Sequence, residues 1–500
     1  AANKPKEAIR YAKAFHDTLC ASRVLDPACG TGNFLYVALE LLKRLEGEVL
    51  EVLANLGGQE ALAGLEGHSV DPHQFLGMEV NARAAAIAEL VLWIGYLQWH
   101  YRTHRSEPGE PILKAFRNIQ RMDAVLTGDH LSRPEWPAAE FIVGNPPFIG
   151  GKDIRARLGD AYAQALWKAH KPMNESADFV MYWWDRAAEI LLRKGGKLRR
   201  FGLVTTNSIS QVFQRRVMER HLTAKKPLSL AMAIPDHPWT KATKDAAAVR
   251  IAMTVAAPGK SEGVLYETTR EAALETDEPV IELRTARGAI HSDLTVGVDV
   301  GRAKALASNQ GLSSRGMSLH GAGFIVTPAQ AKALGLGALS GLEQHIRDYR
   351  NGRDLTARPR GVMVIDLFGL KVEAVRRKFP AVYQLLFNEV KPERDANNRQ
   401  SYRENWWVFG EPRKDLRPAL VGLPRYIATV ETTKHRVFQF LDAAILPDNR
   451  LVNFAFADAF GLGVLSSRLH VQWTLAKGCT LEYRPIYTKS LCFDPFPFPD

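Results

Sequence analysis

Residues 23–54 constrain this chain more than any other stretch. Arg23-Val24-Leu25 is a short apolar strand, Asp26 to Gly32 is a tight loop with two glycines, and a helical repeat follows from Asn33 to about Ala54, with Phe34, Val37, Leu41 and Leu45 on one face. A strand that feeds a glycine loop and then a helix opens an α/β fold. The alternation recurs as strand 75–80, helix 82–99, strand 140–143, helix 177–192, strand 201–205 and strand 249–256. Strands separated by helical periods imply a mostly parallel, doubly wound sheet. An amphipathic helix over 5–20 precedes it, with Ile9, Ala12, Phe15 and Leu19 at helical spacing.

Ala257-Pro258-Gly259 is the first strong punctuation after these strands, which places the end of the first domain near 260. Residues 261–300 then read as a connecting segment. From about 301 to 500, short apolar runs alternate with turns such as Asn351-Gly352-Arg353-Asp354 and Asp448-Asn449-Arg450, the texture of a second, mixed α/β domain.

Charge narrows the partners. The 500 residues hold 65 Lys and Arg against 54 Asp and Glu, a net +11 that favours polyanions over cationic ligands. Residues 341–500 carry 24 basic against 18 acidic residues, so the second domain is the expected polyanion reader. The four cysteines, Cys20, Cys29, Cys479 and Cys492, form no CxxC pair. That argues against a disulfide framework and a zinc finger, no metal site is read, and a reducing, cytoplasmic home is expected. The longest apolar run, Leu90 to Trp99, is about half of the roughly 20 residues that a membrane span needs. The opening residues lack the apolar core of a secretory signal.

Three loops carry the chemistry. In Asp26-Pro27-Ala28-Cys29-Gly30-Thr31-Gly32-Asn33-Phe34, the glycines let backbone approach a ligand closely, while Leu35 stands where a dinucleotide loop wants a third glycine. In Gly77-Met78-Glu79-Val80, Glu79 ends a strand where an acidic side chain can take a ribose diol. Asp123, in Arg121-Met122-Asp123-Ala124, is placed to reach an adenine amino group or to cap a turn.

The decisive segment is Val143-Gly144-Asn145-Pro146-Pro147-Phe148. Pro146 and Pro147 stiffen the turn and leave carbonyls free to accept hydrogen bonds. Asn145 Oδ1 and the Pro146 carbonyl can then hold both hydrogens of an exocyclic amine and aim its lone pair at an electrophilic methyl group. Phe148 offers a stacking face for a base taken out of the duplex. Cys29 reads as a small packing residue. Trp406-Trp407, with Arg403 and Arg413, read as either core or DNA clamp.

DPACGTGNF at 26–34, GMEVN at 77–81 and NPPF at 145–148, in that order, resemble the motifs of S-adenosylmethionine-dependent DNA adenine-N6 methyltransferases of the γ class. NGRDL (351–355), VKPERDANNR (390–399), LPRYI (423–427), KHRVF (434–438), ILPDNRLV (445–452), GVLSSRLHVQW (463–473) and FDPFPFP (493–499) are similar to the MmeI-like, type IIL family. The resemblance implies a Rossmann-like class I methyltransferase domain followed by a target recognition domain over 301–500. It implies that Asp26, Ala28, Gly30, Gly32, Asn33, Phe34, Glu79, Val80, Asp123 and Asn145 hold S-adenosylmethionine. Asn145, Pro146, Pro147 and Phe148 would hold the target adenine, and Asp178-Phe179 would line the pocket.

Double-stranded DNA is the implied partner, in restriction–modification or phage defence such as BREX or DISARM. Two departures stand out. The family's T-P-x-x-x-V cofactor motif is missing from residues 1–25, so an upstream segment or a further defence-system subunit is expected to complete the pocket. The family's N-terminal nuclease is also missing, and Asp366 with Glu389-Val390-Lys391 imitates a nuclease motif by coincidence. A methyltransferase for RNA or protein amide nitrogen, and a non-catalytic DNA-binding component, stay open as alternatives.

Overall fold

β1 (Val24–Asp26) has all three residues buried and hydrogen-bonds on both edges, to β2 (Phe75–Glu79) and to β4 (Phe141–Gly144), each parallel. A strand covered on both faces and both edges has no polar side to show, which is why Val24 and Leu25 read as an apolar run that Asp26 ends. The computed structural model describes the chain except residues 1–3, 63–64, 66–67, 104–117, 130–131, 240–249, 275, 277, 300–302, 482–483 and 500. The chain divides into two units, Ala1–Asp299 and Val300–Asp500.

In the first unit, α1 (Pro5–Ala21) leads into β1, and α2 (Asn33–Leu62) and α3 (Ala82–Thr103) carry the chain from β1 to β2 and from β2 to β3 (Ile119–Arg121). The chain then returns to β4, passes α4 (Ile154–Leu158), α5 (Asp160–Ala169) and α6 (Val180–Leu192), and enters β5 (Arg200–Thr206). The first five strands lie parallel in the order β3-β2-β1-β4-β5, so the direction of winding reverses between β1 and β4. Beyond β5, α7 (Val212–Leu222) precedes β6 (Leu228–Pro238), and β7 (Arg250–Pro258) inserts antiparallel between β5 and β6. Val249, where the last strand was expected to begin, lies outside the described residues.

The boundary near 260 needs correction. β8 (Gly263–Ala272) and β9 (Val280–Gly288) extend the same sheet to nine strands, so residues 261–300 are not a connecting segment. Pro258-Gly259 makes the turn into β8, which pairs parallel with β6, and β9 completes a hairpin with β8. The residues of β9 are nearly all exposed or half-exposed, so its alternation carries little apolar signal.

α6 buries ten of its thirteen residues, including Tyr182, Trp183 and Trp184. Each such apolar side chain contributes about 1.5–3 kcal/mol by leaving water. The two charges it takes inside are paired: Asp185 accepts from His221 at 2.5 Å and from Arg220, and Arg186 donates to the Pro134 carbonyl at 3.0 Å. α2 turns a different face inward from the one its apolar spacing suggested. Leu35, Leu39, Val49 and Leu53 are buried, whereas Phe34, Val37 and Leu41 are exposed.

The second unit holds two four-stranded sheets. One runs β10 (Ser313–Arg315), β17 (Leu451–Phe454), β14 (Arg425–Val430), β15 (Phe438–Asp442); the other runs β11 (Ile325–Val326), β13 (Met363–Ile365), β12 (Ile346–Arg350), β16 (Leu446–Pro447). Helices between 352 and 420 pack on the latter, so the unit is mixed α/β. Trp406 is buried in that core and Trp407 donates its indole N–H to the Leu370 carbonyl at 2.9 Å, which resolves the pair as structural. Asp366 is held by both terminal nitrogens of Arg417, at 2.7 and 3.0 Å, and Lys391 pairs with Asp395. Asp366 and Lys391 of the nuclease-like pattern are thus engaged in structural pairs.

Candidate active site

Four parallel strands deliver their carboxyl ends to one crevice beside the β1/β4 reversal, the position where open α/β sheets bind ligands. A cavity of about 430 Å³ opens there. Its floor is apolar, formed by Pro27 and Ala28 after β1, Met78 in β2 and Met122 after β3. Its polar groups are Glu79, Asp123 and Asn145, with the Tyr162 hydroxyl on one wall.

Gly30 and Gly32 both have positive φ, +54° and +85°, but differ in what surrounds them. A Cβ on Gly30 would meet nothing within 4 Å, and Gly30 stands outside the cavity lining with its N–H taken by Glu79. A Cβ on Gly32 would lie 3.0 Å from the Ala88 Cα, so Gly32 exists to let α3 pack against the loop. Glu79 braces the loop: its carboxylate accepts from Gly30 N–H at 3.0 Å and from Asn81 N–H at 2.8 Å. Cys29 is buried, with its thiol pushed up to about 12 by burial and by the Asp26 and Glu79 carboxylates, so it is no nucleophile.

Asp26 does not line the cavity. It is buried beneath the loop, accepts from Ala28 N–H at 3.0 Å, and is raised to about 7 by burial, with Glu79 adding to the effect. Asn33 and Phe34 are exposed on the first turn of α2, outside the cavity lining, while Val80 lines its rim at 61% exposure. Asp123 accepts from Val125 and Leu126 N–H groups at 2.8 and 3.2 Å, and its other oxygen takes the Tyr162 hydroxyl at 2.7 Å. It is therefore both a turn cap and a cavity residue.

Asn145 lies one residue beyond β4, and its Oδ1 is buried with no hydrogen-bond partner among the described residues. An unpaired buried acceptor costs about 1–3 kcal/mol, so a donor reaching Asn145 Oδ1 from the cavity would be favoured. Gly144 holds the turn close: a Cβ there would stand 2.7 Å from Asp26 Oδ1. Pro146 is buried, Pro147 is exposed and lines the cavity, and Phe148 is half-buried against the core cluster rather than lining the cavity.

The wall opposite was less legible. Phe179 lines the cavity and sits edge-on to Trp183 at 4.9 Å, while Asp178 faces away, accepting from Gly151 N–H at 3.0 Å and Ser208 Oγ at 2.5 Å. Leu158 and Tyr162 arrive from α4 and α5, and Trp183 from α6. Tyr162 is held neutral, its hydroxyl pushed far up by burial and by Asp123. The second unit has its own polar cavity of about 760 Å³, where Asn351, Arg353, Thr433, Asn449, Arg450 and Arg484 converge.

Residues 2–267 match the family described as MmeI, DNA-methyltransferase domain, and residues 302–500 match the family described as MmeI, target recognition domain. The chain belongs to the MmeI family. One relative, DNA methyltransferase A of Bacillus subtilis (strain 168), is 24% identical over 518 residues, covering 96% of this chain and 52% of its own length. The solved structure of the type IIL restriction–modification enzyme MmeI in complex with DNA superposes with a TM-score of 0.66 at 22% identity, over 98% of this chain and 64% of that one. The chain thus spans about half to two thirds of the length of these two proteins, and the structural likeness carries the fold. Among the described residues no helix is long and apolar enough to cross a membrane.

Proposed function

We propose that this chain methylates the N6 amino group of an adenine flipped out of duplex DNA, with S-adenosylmethionine as donor, in a restriction–modification or phage-defence setting. The first unit is the catalytic domain and the second reads the target sequence. The observation that carries the reading is the buried, unpaired Oδ1 of Asn145 beside an apolar cavity at the sheet's carboxyl edge.

The cavity suits the donor. Its volume falls in the roughly 300–1,000 Å³ range of small-molecule sites. Glu79 would accept from the ribose hydroxyls, Asp123 would orient the adenine end, and Ala28 and Met122 would pack on its apolar parts. Asp26 acts beneath the loop by holding its turn, and Gly32 by seating it on α3. When bound, the donor supplies an electrophilic methyl group.

What the protein itself does is positional. Asn145 Oδ1 accepts one hydrogen of the target amine and the Pro146 carbonyl accepts the other, which raises electron density on the nitrogen and fixes its lone pair. The rigid Pro146-Pro147 turn keeps both acceptors in place without reorganisation. Phe148 stacks on the extruded base after a side-chain rotation away from the core. On the second unit, the arginine-bearing cavity around Arg353, Arg450 and Arg484 supports contact with DNA phosphates or base edges.

The test is transfer of a labelled methyl group from S-adenosylmethionine to unmodified duplex DNA, with nucleoside digestion to identify the product. RNA and protein acceptors run in parallel. Label in N6-methyladenine supports the reading; label only in RNA or protein, or none, overturns it.

A further inference from the structure

Away from the cavity, three metal-binding side chains gather at the N-terminal helix. His16 and Cys20 lie one turn apart on α1, and His68, 48 positions beyond Cys20, comes in beside them from the segment after α2. One ligand atom from each lies within 4.8 Å of the other two. Cys20 Sγ is 3.9 Å from His16 Nδ1 and 3.8 Å from His16 Nε2, and the two imidazoles meet edge-to-face at 6.0 Å. Tetrahedral zinc, with bonds of about 2.1 Å to nitrogen and 2.3 Å to sulfur, sets an N···S edge of about 3.6 Å, so loading requires the three side chains to draw together from within 4.8 Å and the His16 ring to turn its Nδ1 toward the cation.

The surroundings are arranged as second neighbours of a metal would be. His16 Nε2 faces Glu46 Oε1 at 3.4 Å, and His68 Nδ1 faces Asp17 Oδ1 at 3.4 Å. Each ring thereby keeps its other nitrogen for a cation, the carboxylate–histidine–metal arrangement that fixes tautomer and ring orientation. Lys43, the nearby cation, is itself neutralised by Glu46 at 2.8 Å and bonded to Ser69 at 2.7 Å. His16 is buried, Cys20 half-buried and His68 exposed, which leaves a path for entry and a fourth position for water.

We propose that His16 Nδ1, Cys20 Sγ and His68 Nε2 form a site for a divalent cation of the Zn²⁺ class, which staples α1 to the segment following α2. The thiol loses its proton to solvent as the metal–sulfur bond forms, and no redox step is involved. The absence of a CxxC pair hid the site in the sequence, because its third ligand is brought in only by the fold.

The experiment is a Co²⁺ titration of the whole, chelator-treated protein, read by visible and near-ultraviolet absorbance, with circular dichroism to confirm that each variant is folded. The expected result is one equivalent bound with a sulfur-to-cobalt charge-transfer band, displaced by Zn²⁺. Cys20→Ser removes the band, and Asp17→Asn weakens binding roughly tenfold. Zn²⁺ raises the thermal midpoint of the parent protein and not of Cys20→Ser. A spectrum unchanged from that of aqueous cobalt, or a band that survives Cys20→Ser, overturns the proposal.

Discussion

Trp183 donates its buried indole N–H to the carbonyl of Pro27 at 2.9 Å, tying α6 to the loop that follows β1. The bond spans 156 residues of sequence and joins the aromatic wall of the cavity to its floor. Trp183→Phe keeps most of the packing but leaves the carbonyl unpaired, at a cost of about 1–3 kcal/mol. S-adenosylmethionine affinity, measured calorimetrically, is expected to fall about tenfold while DNA affinity changes little. Equal loss of both would mean that the bond only supports the fold.

The two loop glycines separate by what a methyl group would meet. Gly30→Ala introduces only positive-φ strain, about 1 kcal/mol, in the loop that Glu79 braces. Gly32→Ala adds a collision with α3 at Ala88, so denaturant unfolding is expected to show a loss of about 2 kcal/mol or more. Gly30→Ala is expected to lower cofactor affinity with nearly parental stability. The reverse ranking of stabilities would contradict the packing role of Gly32.

Asp26 makes the stability of the cofactor-free protein depend on pH. Burial raises it from 3.8 to about 7, Glu79 adds to this, and the Ala28 N–H opposes it. The folded state therefore holds the proton more tightly than the unfolded chain. That stability is fully present below about pH 4 and is lost as pH rises through 7. Asp26→Asn mimics the protonated carboxyl and should gain on the parent between pH 5 and 8, by at most about 4 kcal/mol. Thermal midpoints that run parallel across that range would show that Asp26 titrates normally.

Much of the first unit could be read from local pattern because its parallel strands are short, apolar and separated by helices. Ala28, Glu79, Asp123 and Asn145 stand at or just beyond strand ends, so strand positions alone bring them to the crevice, whereas Asp26 ends β1 beneath the loop. Tyr162, Leu158 and Trp183 could not be found in this way, since α4, α5 and α6 bring them to the cavity through tertiary packing. The inward face of α2 is ambiguous in sequence for a related reason: Phe34, Val37 and Leu41 share a stripe as apolar as that of Leu35, Leu39 and Leu53, and only the latter is buried. β9 carries little apolar signal because an outer strand with no buried residue extends a sheet without needing an apolar face, and β8 buries only Gly263 and Leu265.

In the second unit, Asp366 and Arg417 form a pair with two hydrogen bonds, and Asp366 is buried. Arg417→Met leaves that carboxylate without its cation and is expected to cost about 3 kcal/mol in denaturant unfolding. Asp366→Asn is expected to leave any divalent-metal-dependent DNA cleavage at the parental level. A selective loss of cleavage in Asp366→Asn would restore the nuclease reading.

The central claim concerns Asn145, whose Oδ1 waits unpaired at the cavity. The direct measurement is the single-turnover rate of methyl transfer to duplex DNA by the parent protein and by Asn145→Ala, with S-adenosylmethionine affinity measured alongside. N6-methyladenine is expected as product, with a rate lowered by roughly a hundredfold or more in the variant and donor binding largely kept. A variant that transfers methyl groups at the parental rate would contradict this role of Asn145.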